Sequence, residues 1–352
     1  DRALVFGTRC RGFESLQAYQ LKELFMVTFG SGDYKYEVVE NFFKRPKGWP
    51  FVEVADVAVD KDDNVYVFNR GPYAAIMIFD KSGNYTGGWG KIGFDFIVPH
   101  GVSIGPDGSV YTSDTGDHTV RKWTKDGQLL MTLGRPLINA PEQSGIPFNR
   151  PTHFTVSSSG DLYASDGYGN SHIHCFDSDG NLKFSWGGHG SGPGEFDTIH
   201  SVYVDIEDND KIYATDRYNN RIQYFSKKGE FLGEWTNVNL PNDIRKGPDG
   251  NFYVAELDHR VSILDSSGNL LARWGDVDAN VDDSETGSGL SNSPSRNPMI
   301  VGKVKHEPGA GLFGAPHGIA VDSEGSFYVS EVSETFLGID RGDRCVQKFV
   351  RV

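Results

Sequence analysis

Three histidines, His100, His200 and His317, stand directly before an apolar segment that recurs along the chain. Two of them share the same neighbours, because residues 99–101 and 316–318 both read Pro-His-Gly. Imidazole is the commonest side-chain metal ligand, and a catalytic zinc site takes three protein ligands and keeps one position open. A fold that brought the three together would form such a site, although a single histidine is more often a capping or channel-lining residue.

The sequence around these histidines consists of six related units. They cover residues 57–90, 102–134, 154–187, 202–235, 244–275 and 319–349. Each unit has three short segments of alternating apolar and polar residues, with turns such as Asp107-Gly108 that supply the positive φ of a tight hairpin. In the first five units a fourth such segment follows. Four strands in each unit predict an all-β fold, a six-bladed β-propeller in which residues 1–352 form one domain.

The three histidines occupy the same position of the repeat, just before the first strand of a unit. In chain order these residues are Ala55, His100, Thr152, His200, Asn242 and His317. The innermost strands of a propeller start beside its central channel, so histidines in alternate units should converge at intervals of about 120°. This symmetry favours a metal site over three unrelated roles. His153, one place beyond the position in the third unit, is expected to face elsewhere.

The two ends of the chain are expected to meet in the last blade. The sixth unit reaches Val352 without a fourth strand. We expect residues 21–30, within an N-terminal segment 1–31, to supply that strand and pair near residues 345–349, because an open ring would leave a strand edge exposed. Residues 276–312, rich in Gly, Ser, Asp and Asn and without periodicity, are predicted to form a long surface loop between blades five and six.

A second set of equivalent positions lies at the end of the second strand. Recurrence in every unit predicts a structural role, the acceptance of hydrogen bonds from turn amides. The residues are Asn69, Asp114, Asp166, Asp216, Glu256 and Glu331. Arg70, Tyr168 and Arg217 follow soon after and break the repeat. An arginine there suits a carboxylate ligand, or else a salt bridge to an acidic neighbour, and a cation would favour ionisation of the tyrosine.

Composition excludes several classes of partner. The 352 residues carry a formal net charge of −14, which argues against nucleic acid as a partner. No apolar run approaches the roughly 18–20 residues of a membrane span. Three cysteines do not make a disulfide framework. The chain starts at Asp1, so both a cytoplasmic protein and an exported one with its signal peptide removed remain open, as does the oligomeric state.

With these residues in view, the chain resembles NHL-type propellers and, more closely, the peptidyl-α-hydroxyglycine α-amidating lyase (peptidylamidoglycolate lyase) family, from about residue 52 to 349. The most specific segments are 64–71 (NVYVFNRG), 99–104 (PHGVSI), 164–171 (ASDGYGNS), 216–223 (DRYNNRIQ) and 316–320 (PHGIA).

The resemblance implies a site and a reaction. It implies that His100, His200 and His317 bind Zn²⁺ and that Tyr168 is the catalytic base. It also implies that Arg70 and Arg217 contact the substrate. The family reaction cleaves the N–C bond of a peptidyl-α-hydroxyglycine to give an amide and glyoxylate. The expected partner is therefore a peptide or small molecule that carries a carboxylate.

The chain departs from the family pattern at two features. The family has an Asp after the last ligand histidine that helps to hold a structural Ca²⁺, whereas this chain has Gly318, so only the carbonyls of Val57 and Val102 would remain and the calcium site is doubtful. Other residues replace the family's two cysteine pairs, so the chain resembles a bacterial-type, disulfide-free relative. The replacements are Asn149 with Gly169, and Ile212 with Tyr224.

Two other functions stay open at this stage. One is a metal-dependent propeller hydrolase such as a lactonase or esterase, which typically holds calcium with Glu, Asp and Asn in the channel. The other is a non-enzymatic NHL interaction scaffold, which needs neither three equivalent histidines nor a tyrosine and two arginines that break the repeat. Because a fold alone does not define a function, site chemistry favours the lyase.

Overall fold

The computed structural model describes residues 27–275, 281–286, 302–304 and 308–352. Two strands, β1 (Thr28–Ser31) and β2 (Tyr34–Val39), precede five antiparallel four-stranded sheets and are joined to a sixth sheet at the other end of the chain. The predicted six-bladed β-propeller is therefore confirmed.

Each of the first five blades contains four consecutive strands. Blade one has β3 (Val54–Val59), β4 (Val65–Asn69), β5 (Ile76–Phe79) and β6 (Tyr85–Trp89). Blade two has β7 (Pro99–Ile104), β8 (Val110–Asp114), β9 (Thr119–Trp123) and β10 (Leu129–Leu133). Blade three has β11 (His153–Val156), β12 (Leu162–Asp166), β13 (His172–Phe176) and β14 (Leu182–Gly187). Blade four has β15 (Ile199–Asp205), β16 (Lys211–Asp216), β17 (Arg221–Phe225) and β18 (Phe231–Trp235). Blade five has β19 (Pro241–Lys246), β20 (Phe252–Glu256), β21 (Arg260–Leu264) and β22 (Leu270–Trp274).

The segment between blades five and six contains a pair of antiparallel strands, β23 (Val281–Thr286) and β24 (Gly302–Val304), within the predicted loop 276–312; most of that loop lies outside the described residues. Blade six has β25 (Pro316–Val321), β26 (Phe327–Glu331) and β27 (Val346–Arg351). Short helices complete the described elements: α1 (Ser333–Leu337) and two 3₁₀ turns, Arg217–Asn219 and Gly342–Cys345. None of the helices in the described ranges has the length and apolar character of a membrane span.

The core lies between neighbouring blades. In one cluster, for example, Tyr163 and Ile173 of blade three pack with Val202 and Phe225 of blade four. The hairpin turns use glycine as the sequence predicts, since Gly108 and Gly250 have φ of +78° and +81°. This inter-blade packing fixes the inner strands, which position the residues on the propeller axis.

The chain ends do close the ring, but residues 21–30 are not the strand that pairs with the C-terminus. That strand is β2, where Val39 pairs with Lys348 and Tyr36 with Arg351. The β1 strand overlaps the end of the predicted segment and forms an extra fifth strand outside β2, whereas residues 21–26 lie outside the described part of the chain. The sequence continues past Gly30 through a turn at Gly32, whose φ is +59°, and this hairpin places β2 next to β27.

We predict that β2 is required for stability. Tyr36 is fully buried, stacks on Trp274 and contacts Phe327 edge-on, so a chain without β2 loses a core aromatic residue and exposes the edge of β27. A chain lacking residues 1–39 should melt far below one lacking residues 1–32, which keeps β2. Thermal unfolding followed by circular dichroism measures the difference. Equal melting temperatures for the two truncations would contradict a closing role for β2.

Candidate metal centre and its surroundings

The three histidines meet on the propeller axis. Each is the second residue of an innermost strand, β7, β15 or β25, and each is less than 5% exposed. Their nearest ring nitrogens all lie within 4.8 Å of one another, and their ring centroids are 4.5–4.8 Å apart. One ion of ordinary Zn–N distance, about 2.0–2.1 Å, can bridge nitrogens this close.

The recurring acidic residues hold the loops that lead into these inner strands. Asp114 accepts hydrogen bonds from the amides of Ile97 and Val98, directly before Pro99 and His100. Glu331 accepts one from the amide of Gly314, just ahead of His317. The other members accept amide hydrogen bonds from the loops of their own blades. They are Asn69, Asp166, Asp216 and Glu256. The predicted structural role of these positions is confirmed.

Backbone carbonyls fix the orientation of all three imidazoles. Nδ1 of His100 lies 2.7 Å from the carbonyl oxygen of Thr152, and Nδ1 of His200 lies 2.9 Å from that of Asn242. Nδ1 of His317 lies 2.5 Å from the carbonyl oxygen of Ala55. A carbonyl oxygen only accepts, so each Nδ1 carries the proton and donates it, and each Nε2 keeps its lone pair. The acceptors are the three non-histidine residues of the predicted ring, which therefore orient the ligands.

The histidines are held neutral. Burial lowers the pKa of each imidazole well below its usual value. For His100 and His200 the next cause is the neighbouring His317, and for His317 it is Arg70. Since a metal binds the neutral imidazole, burial and nearby positive charge keep the ligands in the form that binding requires. Three oriented nitrogen donors fit Zn²⁺ and also suit other first-row metals.

Tyr168 lies directly on the open side of this triad. It follows β12, is 6% exposed, and its hydroxyl oxygen lies 2.7 Å from Nε2 of His100 and 3.0 Å from Nε2 of His200. Burial raises the pKa of the phenol, and Arg217 acts in the opposite direction. The tyrosine that breaks the repeat thus stands at the nitrogens that would hold a metal.

Arg217 is fully buried beside Tyr168 without a carboxylate partner among the described residues. Its guanidinium carbon lies 5.3 Å from the Tyr168 ring centroid and 4.8 Å from that of Tyr218. Its polar contacts are long, 3.5 Å to Oδ1 of Asn242 and 3.4 Å to the hydroxyl of Tyr218, and Nε has no acceptor within the described part of the chain. A buried guanidinium in this state gains strongly from a bound anion, and a carboxylate matches its geometry.

Arg70 lies near the same histidines, but its guanidinium already binds other groups of the protein. Its Nη1 donates to Glu53 at 3.0 Å, and its Nε and Nη2 both donate to the carbonyl oxygen of Pro99. Of the two roles that the sequence allows for these arginines, Arg70 therefore forms the salt bridge to an acidic neighbour. Arg217 remains suited to binding the carboxylate of a ligand. The substrate contact of either arginine stays a prediction.

The sequence placed Asn242 on the ring but did not predict its role, did not indicate Tyr218, and misplaced His153. Asn242 is fully buried and its side-chain amide donates to the carbonyl of Pro316 while its own carbonyl orients His200. Tyr218 packs on Arg217, and its place directly after that arginine was the available signal. His153 was expected to face elsewhere, but it lines a small axial cavity together with the three histidines.

Comparison with known proteins agrees with this architecture. A model of the NHL repeat matches residues 96–123, and a model described as a 6-bladed beta-propeller matches residues 152–272. A solved streptogramin B lyase superposes with a TM-score of 0.55 over 91% of this chain and 99% of that one, at 16% identity, which shows the fold alone. These matches define an NHL-repeat six-bladed β-propeller.

Sequence relatives define the family. NHL repeat-containing protein 3 of Mus musculus is 30% identical over 252 residues, which cover 65% of this chain and 71% of that protein. The Homo sapiens protein is 32% identical over 225 residues, which cover 59% of this chain and 63% of that protein. The chain belongs to the family of NHL repeat-containing protein 3. It is also related to a probable peptidyl-alpha-hydroxyglycine alpha-amidating lyase of Caenorhabditis elegans, 35% identical over 134 residues, 37% of each protein. The match thus spans under two thirds of the human protein and of the lyase.

Proposed function

We propose that this protein is a zinc-dependent lyase that cleaves the N–C bond of a peptidyl-α-hydroxyglycine-like substrate, releasing an amide and glyoxylate. The observation that carries the proposal is the juxtaposition of three groups at one place. Three Nε2 atoms converge, the Tyr168 hydroxyl lies within hydrogen-bond distance of two of them, and Arg217 stands beside Tyr168 without a carboxylate partner among the described residues. These are the parts that a proton transfer on a carboxylate-bearing substrate needs.

A divalent cation held by the three histidines would act as a Lewis acid on the substrate hydroxyl or carboxylate and would favour the phenolate form of Tyr168. The chain's own residues account for the rest. Arg217 binds the substrate carboxylate through its guanidinium. The phenolate oxygen of Tyr168 accepts the proton of the substrate hydroxyl.

The bond changes balance without another reactant. As the hydroxyl loses its proton to Tyr168, its oxygen forms the aldehyde C=O of glyoxylate. The C–N bond breaks and its electron pair goes to nitrogen, which takes up one proton as the amide leaves. Proton loss at oxygen equals proton gain at nitrogen, so Tyr168 can return the proton it took and be restored for the next turnover.

Two observations bear on the alternatives. A calcium-dependent hydrolase would need a cluster of oxygen ligands in the channel, but the side-chain group that qualifies as a metal cluster among the described residues is the histidine triad. A pure interaction scaffold has no need of a buried arginine without a counter-ion among the described residues, because such a group destabilises a fold unless it serves a ligand. Both observations favour the lyase.

The direct test combines metal analysis with turnover. The purified protein should contain about one zinc per chain by elemental analysis and release glyoxylate from α-hydroxyhippurate, and removal of the metal by a chelator should stop the release until zinc is restored. Fully metal-loaded protein that releases no glyoxylate from this substrate or from longer peptidyl-α-hydroxyglycines would refute the lyase assignment.

The two arginines should differ in their effect on substrate binding. Arg217→Ala should raise KM for α-hydroxyhippurate by at least about 10-fold, because it removes the guanidinium that has no protein carboxylate among the described residues. Arg70→Ala should raise KM less, because Glu53 already neutralises Arg70. Steady-state kinetics on the acid and on its methyl ester measure the contrast, with zinc content and melting temperature as controls. A larger effect of Arg70→Ala on the acid alone would reverse this assignment.

A further inference from the structure

A second ring of residues lies one position beyond the histidine ring. Here the alternation is reversed, because the odd blades carry ionisable side chains and the even blades carry glycine or serine. In chain order the residues are Asp56, Gly101, His153, Ser201, Asp243 and Gly318. All six except Gly318 line a cavity of about 10 Å³ together with the three histidines. The two rings are therefore stacked along the axis.

A guanidinium bridges two members of this second ring. Arg245, two residues after Asp243, donates from Nη1 to Oδ1 of Asp243 at 2.5 Å and to the carbonyl oxygen of Ile244 at 2.7 Å. Its Nη2 lies 2.8 Å from Nε2 of His153, whose Nδ1 in turn lies 3.1 Å from the carbonyl oxygen of Val202. Arg245 thus links blades five and three across the axis.

The carboxylates of Asp56 and Asp243 both accept several hydrogen bonds from the protein. Asp56 accepts from the amides of Val57 and Val102, both at 2.8 Å, and its Oδ2 lies 3.3 Å from Nε2 of His153. Burial raises the pKa of Asp56 and the neighbouring Asp243 raises it further, while His153 and Arg245 lower it. The charges of Asp243, His153 and Arg245 therefore all act on Asp56, and these four side chains interact as one group.

Calcium does not fit this ring. The resemblance places a carboxylate at residue 318, but a Cβ built on Gly318 would lie 2.0 Å from Oδ1 of Asp56. The Asp56 side chain thus already fills that space. Ca²⁺ needs six to eight oxygen ligands, and the 10 Å³ that remains is at the lower limit for a single water. The residues present disagree with a calcium site at this place.

We propose that Arg245, held by Asp243 and by His153, which in turn contacts Asp56, takes the place of a structural cation at the centre of this propeller. The guanidinium supplies the positive charge that two buried carboxylates require, and it does so from within the chain. Members of the same network border the small cavity that the histidine triad lines. Stability of this propeller is therefore independent of calcium, and the metal chemistry is confined to the histidine ring.

The test on the wild-type protein is calcium content and response. After gel filtration in buffer with excess CaCl₂, elemental analysis should find no stoichiometric calcium. The melting temperature should be the same in CaCl₂ as in MgCl₂. One calcium per chain that survives gel filtration, or a melting temperature raised by calcium and not by magnesium, would overturn the proposal.

A pair of variants tests the role of Arg245 itself. Arg245→Met keeps most of the side-chain length but leaves the carboxylates without their cation, so the melting temperature should fall by at least about 5 °C and CaCl₂ should restore part of the loss. The matched control is Lys246→Met, which removes a neighbouring charge that pairs with Asp205 and Glu207 outside the ring. It should show no calcium response. An Arg245→Met protein that melts like the wild type, or that ignores calcium, overturns the assignment.

Discussion

His200→Ala is expected to lose its bound metal and to release no measurable glyoxylate. His200 is one of three nitrogen donors that lie within 4.8 Å of one another, and two donors hold a divalent ion much less tightly than three. Loss of a hydrogen-bond partner of a metal ligand already costs about 10- to 100-fold in affinity, so loss of the ligand itself should cost more. His100→Ala and His317→Ala should behave alike, because all three imidazoles are buried and oriented in the same way.

The control for this series is His189→Ala, since His189 is exposed and lies away from the inner strands. It should keep both zinc and activity. Zinc is measured by elemental analysis of folded protein, and thermal unfolding of each variant ensures that loss of metal is not loss of fold. Unchanged zinc content in all three alanine variants would exclude the histidine triad as the metal site.

The repeat made the fold and the triad predictable from sequence. Periodic alternation located the strands, and equivalent positions in alternate units placed His100, His200 and His317 on one ring before any coordinates were known. The reason is geometric, because a propeller converts equal positions in its repeats into a circle around one axis. The position of Tyr168 at the end of the second strand follows from the same register.

The closing strand was misplaced because the sequence offers two candidates. Residues 21–30 resemble the fourth strand of blade five, and Tyr34–Val39 begins with alternating apolar and polar residues. The turn at Gly32 and the burial of Tyr36 decide which of the two meets β27. Both features depend on tertiary structure, because the apolar pattern of a strand shows which of its faces is buried but not which strand it pairs with.

The second ring was missed although its signal was present. His153 was assigned to another face because adjacent strand residues normally point in opposite directions. The inner strands are irregular at this point, however. The pairing register shifts between Pro99 and Val102, between Ile199 and Ser201, and between Pro316 and Gly318. Similar shifts lie between Val54 and Asp56 and between Pro241 and Asp243, and a bulge of this kind re-aims side chains, so two consecutive positions of these strands can both supply groups to the axis. The pairing of β11 has no shift, but β11 begins at His153, so Thr152 precedes the regular alternation of that strand.

The sequence also does not show which residues pair with the charged side chains of the site. Arg70 and Arg217 look equivalent in the sequence, yet Glu53 reaches one of them, and no carboxylate among the described residues reaches the other. The carbonyl acceptors that fix each Nδ1 are backbone atoms whose residue types carry no signal. Only the packing of one blade against the next determines these contacts.

Tyr168→Phe should reduce kcat on α-hydroxyhippurate by about 10²-fold or more, the usual scale for loss of a general base. The change keeps the ring and its packing near Arg217 and removes only the oxygen that lies 2.7 Å and 3.0 Å from two Nε2 atoms. Zinc content and KM should change little, because neither a ligand nor the arginine is lost.

The pH profile distinguishes a base from a packing residue. Burial raises the pKa of Tyr168, so a mechanism that uses the phenolate predicts that the wild-type kcat rises with pH until the tyrosine is ionised. Tyr168→Phe should lose that rise. Tyr163→Phe is the matched control, since Tyr163 is also buried in the same blade and its hydroxyl donates to the carbonyl of Lys227, away from the histidines. Full activity with an unchanged pH profile in Tyr168→Phe would mean that another group accepts the substrate proton.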